Sequence, residues 1–249
     1  MISLDYPIPY VLFSAASFGA ARVVMRTFSP LPGPVQRDEV KSWRWTNLNV
    51  SVMHSLITGP WALLCVYLSP ELLTEIQTAY NSLSHMLVCT STGYFVQDVA
   101  DIILSGQSRA SWEFLVHHLV VISTFLYTVL TNRYIAGAVV ALFVEINSIF
   151  LHTRLLLKLM NAQTSQLYHW NKYINAFTYV VFRLSAQLYL TWYVMRNMST
   201  LPHSGYFSLA LNLMNIMISI YFYRLIRTDF FRKPKHHLYN GSNLKFVDE

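Results

Sequence analysis

Residues Phe114–Leu130 read FLVHHLVVISTFLYTVL, an apolar run with no Asp, Glu, Lys or Arg and with two adjacent histidines, His117 and His118. A helix of this sequence is apolar on every side, which suits lipid or a large protein interior and not the surface of a water-soluble domain. The run has company. Further apolar stretches lie at Ile8–Met25, Leu48–Leu68, Leu83–Leu104, Tyr134–Leu157, Ile174–Met195 and Tyr206–Ile226. About 20 mostly apolar residues cross the hydrocarbon core of a bilayer. The seven stretches therefore predict an all-α, polytopic transmembrane bundle of about seven spans.

Composition agrees. Of the 249 residues, 54% are hydrophobic and 12% charged. Soluble domains carry about 25% charged residues, so this chain has too little polar surface to stay folded in water. The two cysteines, Cys65 and Cys89, fall inside predicted spans and lack metal-ligand spacing. No disulfide framework, metal or cofactor is expected. The net charge of +6 does not call for nucleic acid, because in a membrane protein it reports which loops face the cytosol. With the N-terminus outside, thirteen Lys and Arg fall on cytosolic segments and only Arg133 and Arg196 on outer loops. That asymmetry predicts N-out and C-in. Residues 1–34 read as an N-terminal anchor and Pro-rich linker, residues 35–232 as the main membrane domain and 233–249 as a flexible cytosolic tail. A cleaved signal peptide is the other reading of the first stretch. Lys41, Trp43, Arg44 and Trp45 suggest a helix lying on the cytosolic surface, or else an interfacial flank of the second span.

Ionisable residues inside spans are costly, about 2.5–3.5 kcal/mol each at the helix centre, and call for a partner or a role. Asp98 and Asp101 sit three apart on the third span. Glu113 and His117, four apart, are placed to hydrogen-bond. Glu145, Ser148 and His152 share one helix face, with Asn147 and Arg154 on the same span, and Arg183 lies on the sixth. In the N-out arrangement Asp98, Asp101, Glu113, His117, His118, His152 and Arg154 all fall in the cytosolic half. Glu145, Asn147 and Arg183 fall nearer the middle, where Glu145 and Arg183 could form a structural ion pair. The convergence predicts a polar, lipid-binding cavity within the bundle. Paired charges that only hold helices together are the competing explanation.

Trp112-Glu113-Phe114-Leu115-Val116-His117-His118 resembles the double-histidine signature of the TLC domain family, which includes the ceramide synthases. Gly93–Asp101, Glu145–Arg154 and Phe182-Arg183-Leu184 resemble it too, and the likeness runs from about Val35 to Arg232. The resemblance implies six core spans after the N-terminal anchor and a lipid-related role. That role is control of phospholipid acyl composition and plasma-membrane fluidity by limiting the incorporation of long polyunsaturated chains, with phospholipids or fatty-acyl chains as partners. It also brings a link to calcium-channel modulation. Ceramide synthases carry acids where this chain has Ile146 and Ile149, so ceramide synthesis is not expected. A non-catalytic regulator is favoured. The alternative is acyl transfer by His117 or His118 on an acyl-CoA or phospholipid substrate. The plasma membrane is favoured over the endoplasmic reticulum.

Overall fold

The computed structural model describes residues 7–231; the predicted tail at 233–249 lies outside them. Every regular element among the described residues is a helix. In order it forms α1 (Pro7–Phe28), α2 (Gly33–Gln36), α3 (Glu39–Leu68), a 3-10 turn (Pro70–Leu73), α4 (Ser82–Leu104), α5 (Trp112–Thr131), α6 (Ile135–Ala141) and α7 (Val144–Leu159). Then follow α8 (Gln166–Thr178), a π-turn (Tyr179–Leu184), α9 (Ser185–Arg196), α10 (Ser204–Ile226) and a final π-turn (Arg227–Phe231). Among the described residues, six helices are long and apolar enough to cross a membrane, counting α6 and α7 as one. A seventh course, α8 through α9, carries Asn175, Arg183 and Gln187 and is interrupted by the first π-turn.

The helix ends follow their local chemistry. Asp38 caps α3 by accepting from the Val40 and Lys41 amides at 3.0 and 3.1 Å. Asn81 accepts from Ser84 N at 2.8 Å, and Ser165 from Tyr168 N at 3.1 Å. These caps satisfy amides that have no partner within their own helix. Asn132 ends α5 in the left-handed region, at φ 54°, which asparagine tolerates better than most residues.

The stretch around Trp43-Arg44-Trp45 is not a separate surface helix but the first turns of the 30-residue α3. Arg44 is 2% exposed. No residue breaks the helix between Glu39 and the apolar run, so one element continues into the other. This is the flank reading, extended by several turns.

The helices pair α1 on α4, α3 on α7, α4 on α5, α7 on α8 and α9 on α10. α4 is the central element, buried on most of its surface, whereas α10 is the least enclosed. Two crossings depend on glycine. A Cβ on Gly59 would lie 2.9 Å from Ile146 Cδ1 on α7. One on Gly93 would lie 2.5 Å from both Ser14 Cβ and Val11 O on α1. Backbones approach this closely only where the side chain is absent.

Candidate functional site

The site is built around α4. Asn47, on α3, donates to Asp98 Oδ1 at 2.6 Å and to Asp101 Oδ2 at 3.2 Å. Asp101 also pairs with Arg22 of α1 at 2.5 Å and accepts from Trp43 Nε1 at 3.2 Å and Ser105 Oγ at 3.2 Å. With partners from α1, from α3 and from the cap of its own helix, Asp101 is a structural tie. Asp98 keeps its second oxygen for α5, where Oδ2 lies 3.1 Å from Nδ1 of His118. That contact is within ion-pair distance but out of line for a ring N–H bond, so Nδ1 has no hydrogen bond. Such geometry holds the imidazole close to the carboxylate without locking its ring.

Deeper in the bundle, Glu145 on α7 accepts from Ser55 Oγ at 2.6 Å and lies 3.6 Å from His54 Nδ1. The His54 ring stacks on Tyr94 at 3.8 Å, and its Nε2 lies 3.3 Å from Ser91 Oγ. Tyr94 in turn donates to Ser51 Oγ at 2.8 Å. The anticipated Glu145–Arg183 pair does not form. Arg183 Nε donates to Asn147 Oδ1 at 2.9 Å, and Nη2 to Ser148 Oγ at 2.7 Å. Residues 145 and 147 are about 200° apart around a helix. Glu145 therefore turns to α3, while Asn147 turns to the π-turn that carries Arg183.

Glu113 and His117 do not hydrogen-bond either. Glu113 accepts from Arg224 Nη1 at 3.2 Å and Tyr221 OH at 3.1 Å, joining α5 to α10 at the arginine-rich end. A permanent cation is a stronger partner for a carboxylate than a neutral imidazole. Arg154 is likewise not free for a ligand. It holds Asp229 through Nε at 2.6 Å and through Nη2, and Tyr168 OH donates to the same carboxylate at 3.3 Å.

What remains open is a pair of joined cavities. The polar one, about 160 Å³, is lined by Asp98, His117, His118, Glu145, Ser148, His152, Arg154 and Arg183 among others. The apolar one, about 130 Å³, runs between α5, α6, α9 and α10, past Val120, Thr124, Leu190, Phe207, Ala210 and Met214. One buried water needs only about 10–15 Å³, so both can admit a ligand. Phe95, His117, Val144, Glu145, Arg183 and Ile218 line both and mark the junction. α5 and α10 meet by side chains near their ends, through Tyr206–Ser123 and Tyr127–His203 at one and Glu113–Arg224 at the other.

Of the residues expected at the site, Asp98, His117, His118, Glu145, His152, Arg154 and Arg183 line the polar cavity. Asp101, Glu113 and Asn147 bind helix to helix beside it. Asn47, His54, Tyr94 and Asp229 were not singled out as site residues by the sequence. His54 had a usable signal, an ionisable group in mid-span. Asp229 lay beyond the last predicted span, among basic residues.

An all-helical bundle that spans a membrane and encloses a polar cavity under paired histidines defines a polytopic membrane protein with an internal site. The chain belongs to the TLC domain family, whose sequence model matches residues 44–227. It is 43% identical to the human TLC domain-containing protein 1 over 97% of each chain. It is 45% identical to the chicken (Gallus gallus) form, over 88% of this chain and 86% of that one. It is 39% identical to TLC domain-containing protein 2 of Danio rerio, over 90% and 92%.

Proposed function

We propose that the protein holds a lipid acyl chain in the joined cavities and thereby regulates phospholipid acyl composition, limiting the incorporation of long polyunsaturated chains and so membrane fluidity. The observation that carries this reading is the junction itself. Six residues line both cavities, and one cavity carries most of the ionisable side chains while the other is walled mainly by apolar ones, a division that complements an amphiphile. The excess of Lys and Arg at the end of the bundle that holds Arg224 supports placing that end in the cytosol, with the N-terminus outside. The plasma membrane is the proposed location.

The test is lipid profiling of cells that lack the protein. Phospholipids are expected to shift toward long polyunsaturated chains and to return on re-expression of the wild type. Ala210→Trp, which fills the apolar chamber, is expected not to restore them. An unchanged profile in cells without the protein would refute the reading.

A second reading rests on the 3.1 Å contact of Asp98 with His118, a carboxylate–imidazole pair of the kind that activates acyl transfer. An imidazole nitrogen would take the acyl group from an acyl-CoA, releasing the thiol, and pass it to a lysophospholipid hydroxyl. Full retention of the cellular effect in both His117→Ala and His118→Ala would rule this reading out. The regulator remains favoured, because Ile146 serves packing. It fills the notch at Gly59 where α3 crosses α7, at a position where ceramide synthases place an acid.

A further inference from the structure

Three of the arginines buried in or beside the bundle have a carboxylate partner: Arg22 with Asp101, Arg154 with Asp229 and Arg224 with Glu113. Arg183 does not. It is 9% exposed, and no carboxylate among the described residues lies within 4.0 Å of it. Its bonds go to neutral acceptors: Asn147 Oδ1, Ser148 Oγ and, at 3.5 Å, Val144 O. Nη1 has no hydrogen-bond partner among the described residues. A cation inside a membrane protein is normally paired, and one left unpaired marks a ligand or ion pathway. Glu145 reaches the same junction, but its carboxylate is engaged on the α3 side by Ser55 and His54.

The guanidinium is also held in place. Asn147 donates to Asn175 Oδ1 at 2.9 Å and to Thr178 Oγ1 at 3.1 Å, which fixes its amide oxygen on Arg183 Nε. The guanidinium carbon lies 5.4 Å from the centroid of the Tyr179 ring. Pre-orientation of this kind suits recognition of a planar oxyanion by the remaining N–H groups. Arg183 lines both cavities, and His117 faces it from α5 with ring nitrogens that bond no protein group among the described residues.

We infer that Arg183 receives the anionic head of a single-chain amphiphile, a carboxylate or phosphate oxygen group, with His117 as a second polar contact and the acyl chain in the apolar chamber. This deepens the proposed function and rests on it, because it names the head chemistry of the lipid held there.

The test is equilibrium binding of radiolabelled oleate, oleoyl lysophosphatidate and methyl oleate to the purified, delipidated full chain in mild detergent. At least one acid is expected to bind saturably, and methyl oleate about tenfold or more weaker. The tighter of the two acids identifies the head as carboxylate or phosphate. Arg183→Gln is expected to weaken the acids to the level of the ester, and Arg183→Lys to keep part of the preference. Ala210→Trp is expected to lose both classes. Should Arg183→Gln fail to fold, the comparison of acid with ester on wild type still decides. Equal binding of methyl oleate and the acids would overturn the role of Arg183 while leaving an acyl-chain cavity standing. Absence of all binding would overturn both.

Discussion

Gly93→Leu is expected to destabilise the protein by about 3 kcal/mol, because overpacking of a tight crossing costs 1–3 kcal/mol and more where backbone must move. Two of the three atoms nearest the new Cβ are backbone, Val11 O at 2.5 Å and Ala15 N at 2.7 Å. No side-chain rotation relieves that contact, so α1 has to leave α4. With it go the bond from Ser14 Oγ to Thr90 O at 2.7 Å and the ion pair of Arg22 with Asp101. Asp101 would then keep a charge inside the bundle with only neutral partners. Thermal unfolding in detergent, followed by size-exclusion fluorescence, is the measurement. Gly205→Leu is the control, since nothing lies within 4 Å of its Cβ position, and its transition should stay near that of wild type. A Gly93→Leu protein that melts with wild type would mean that α1 does not lie against α4.

The second large effect is expected at Arg154 and Asp229. Their side chains are 2% and 1% exposed, and removing one member of a buried pair costs about 3–5 kcal/mol because the other charge stays behind. Arg154→Met and Asp229→Asn should each lower the melting temperature strongly. The double variant should recover much of the loss, since no buried charge is then orphaned. Lys172 Nζ also donates to Asp229 O at 3.1 Å, so the ties from α7 and α8 to the end of the chain loosen together. A double variant no better than the weaker single would show that the two residues do not act as one unit.

Much of this architecture was open to reading from hydropathy. α1, α4, α5 and α10 match their predicted stretches to within a few residues at each end, because apolar runs bounded by polar ones leave little freedom in lipid. The course around Arg183 was harder. Its polar residues dilute the apolar signal, and the π-turn at Tyr179–Leu184 shifts the helical phase, which a fixed period of 3.6 does not anticipate. The site was legible as a set of residues but not as pairs. Asp98 with His118 follows from two facing helices of opposite direction. Glu145 could not be matched to Ser55 and His54, because 90 residues separate Ser55 from it and sequence gives no rotation of α7 about its axis. That rotation sent Asn147, and not Glu145, to Arg183. Asp229 escaped notice because its partner Arg154 lies 75 residues away.

The ionisable side chains of α4 and α5 turn toward each other inside the bundle and enclose a cavity. Cysteine trapping tests it most directly. Asp98→Cys and His118→Cys are placed together in a Cys65→Ala, Cys89→Ala background, with a protease site in the loop at 105–111. Mild oxidation or a short bifunctional thiol reagent should join the two halves in high yield, and a membrane-soluble maleimide should label neither position well. Free separation of the halves after proteolysis, with both cysteines labelled from the lipid phase, would contradict the account.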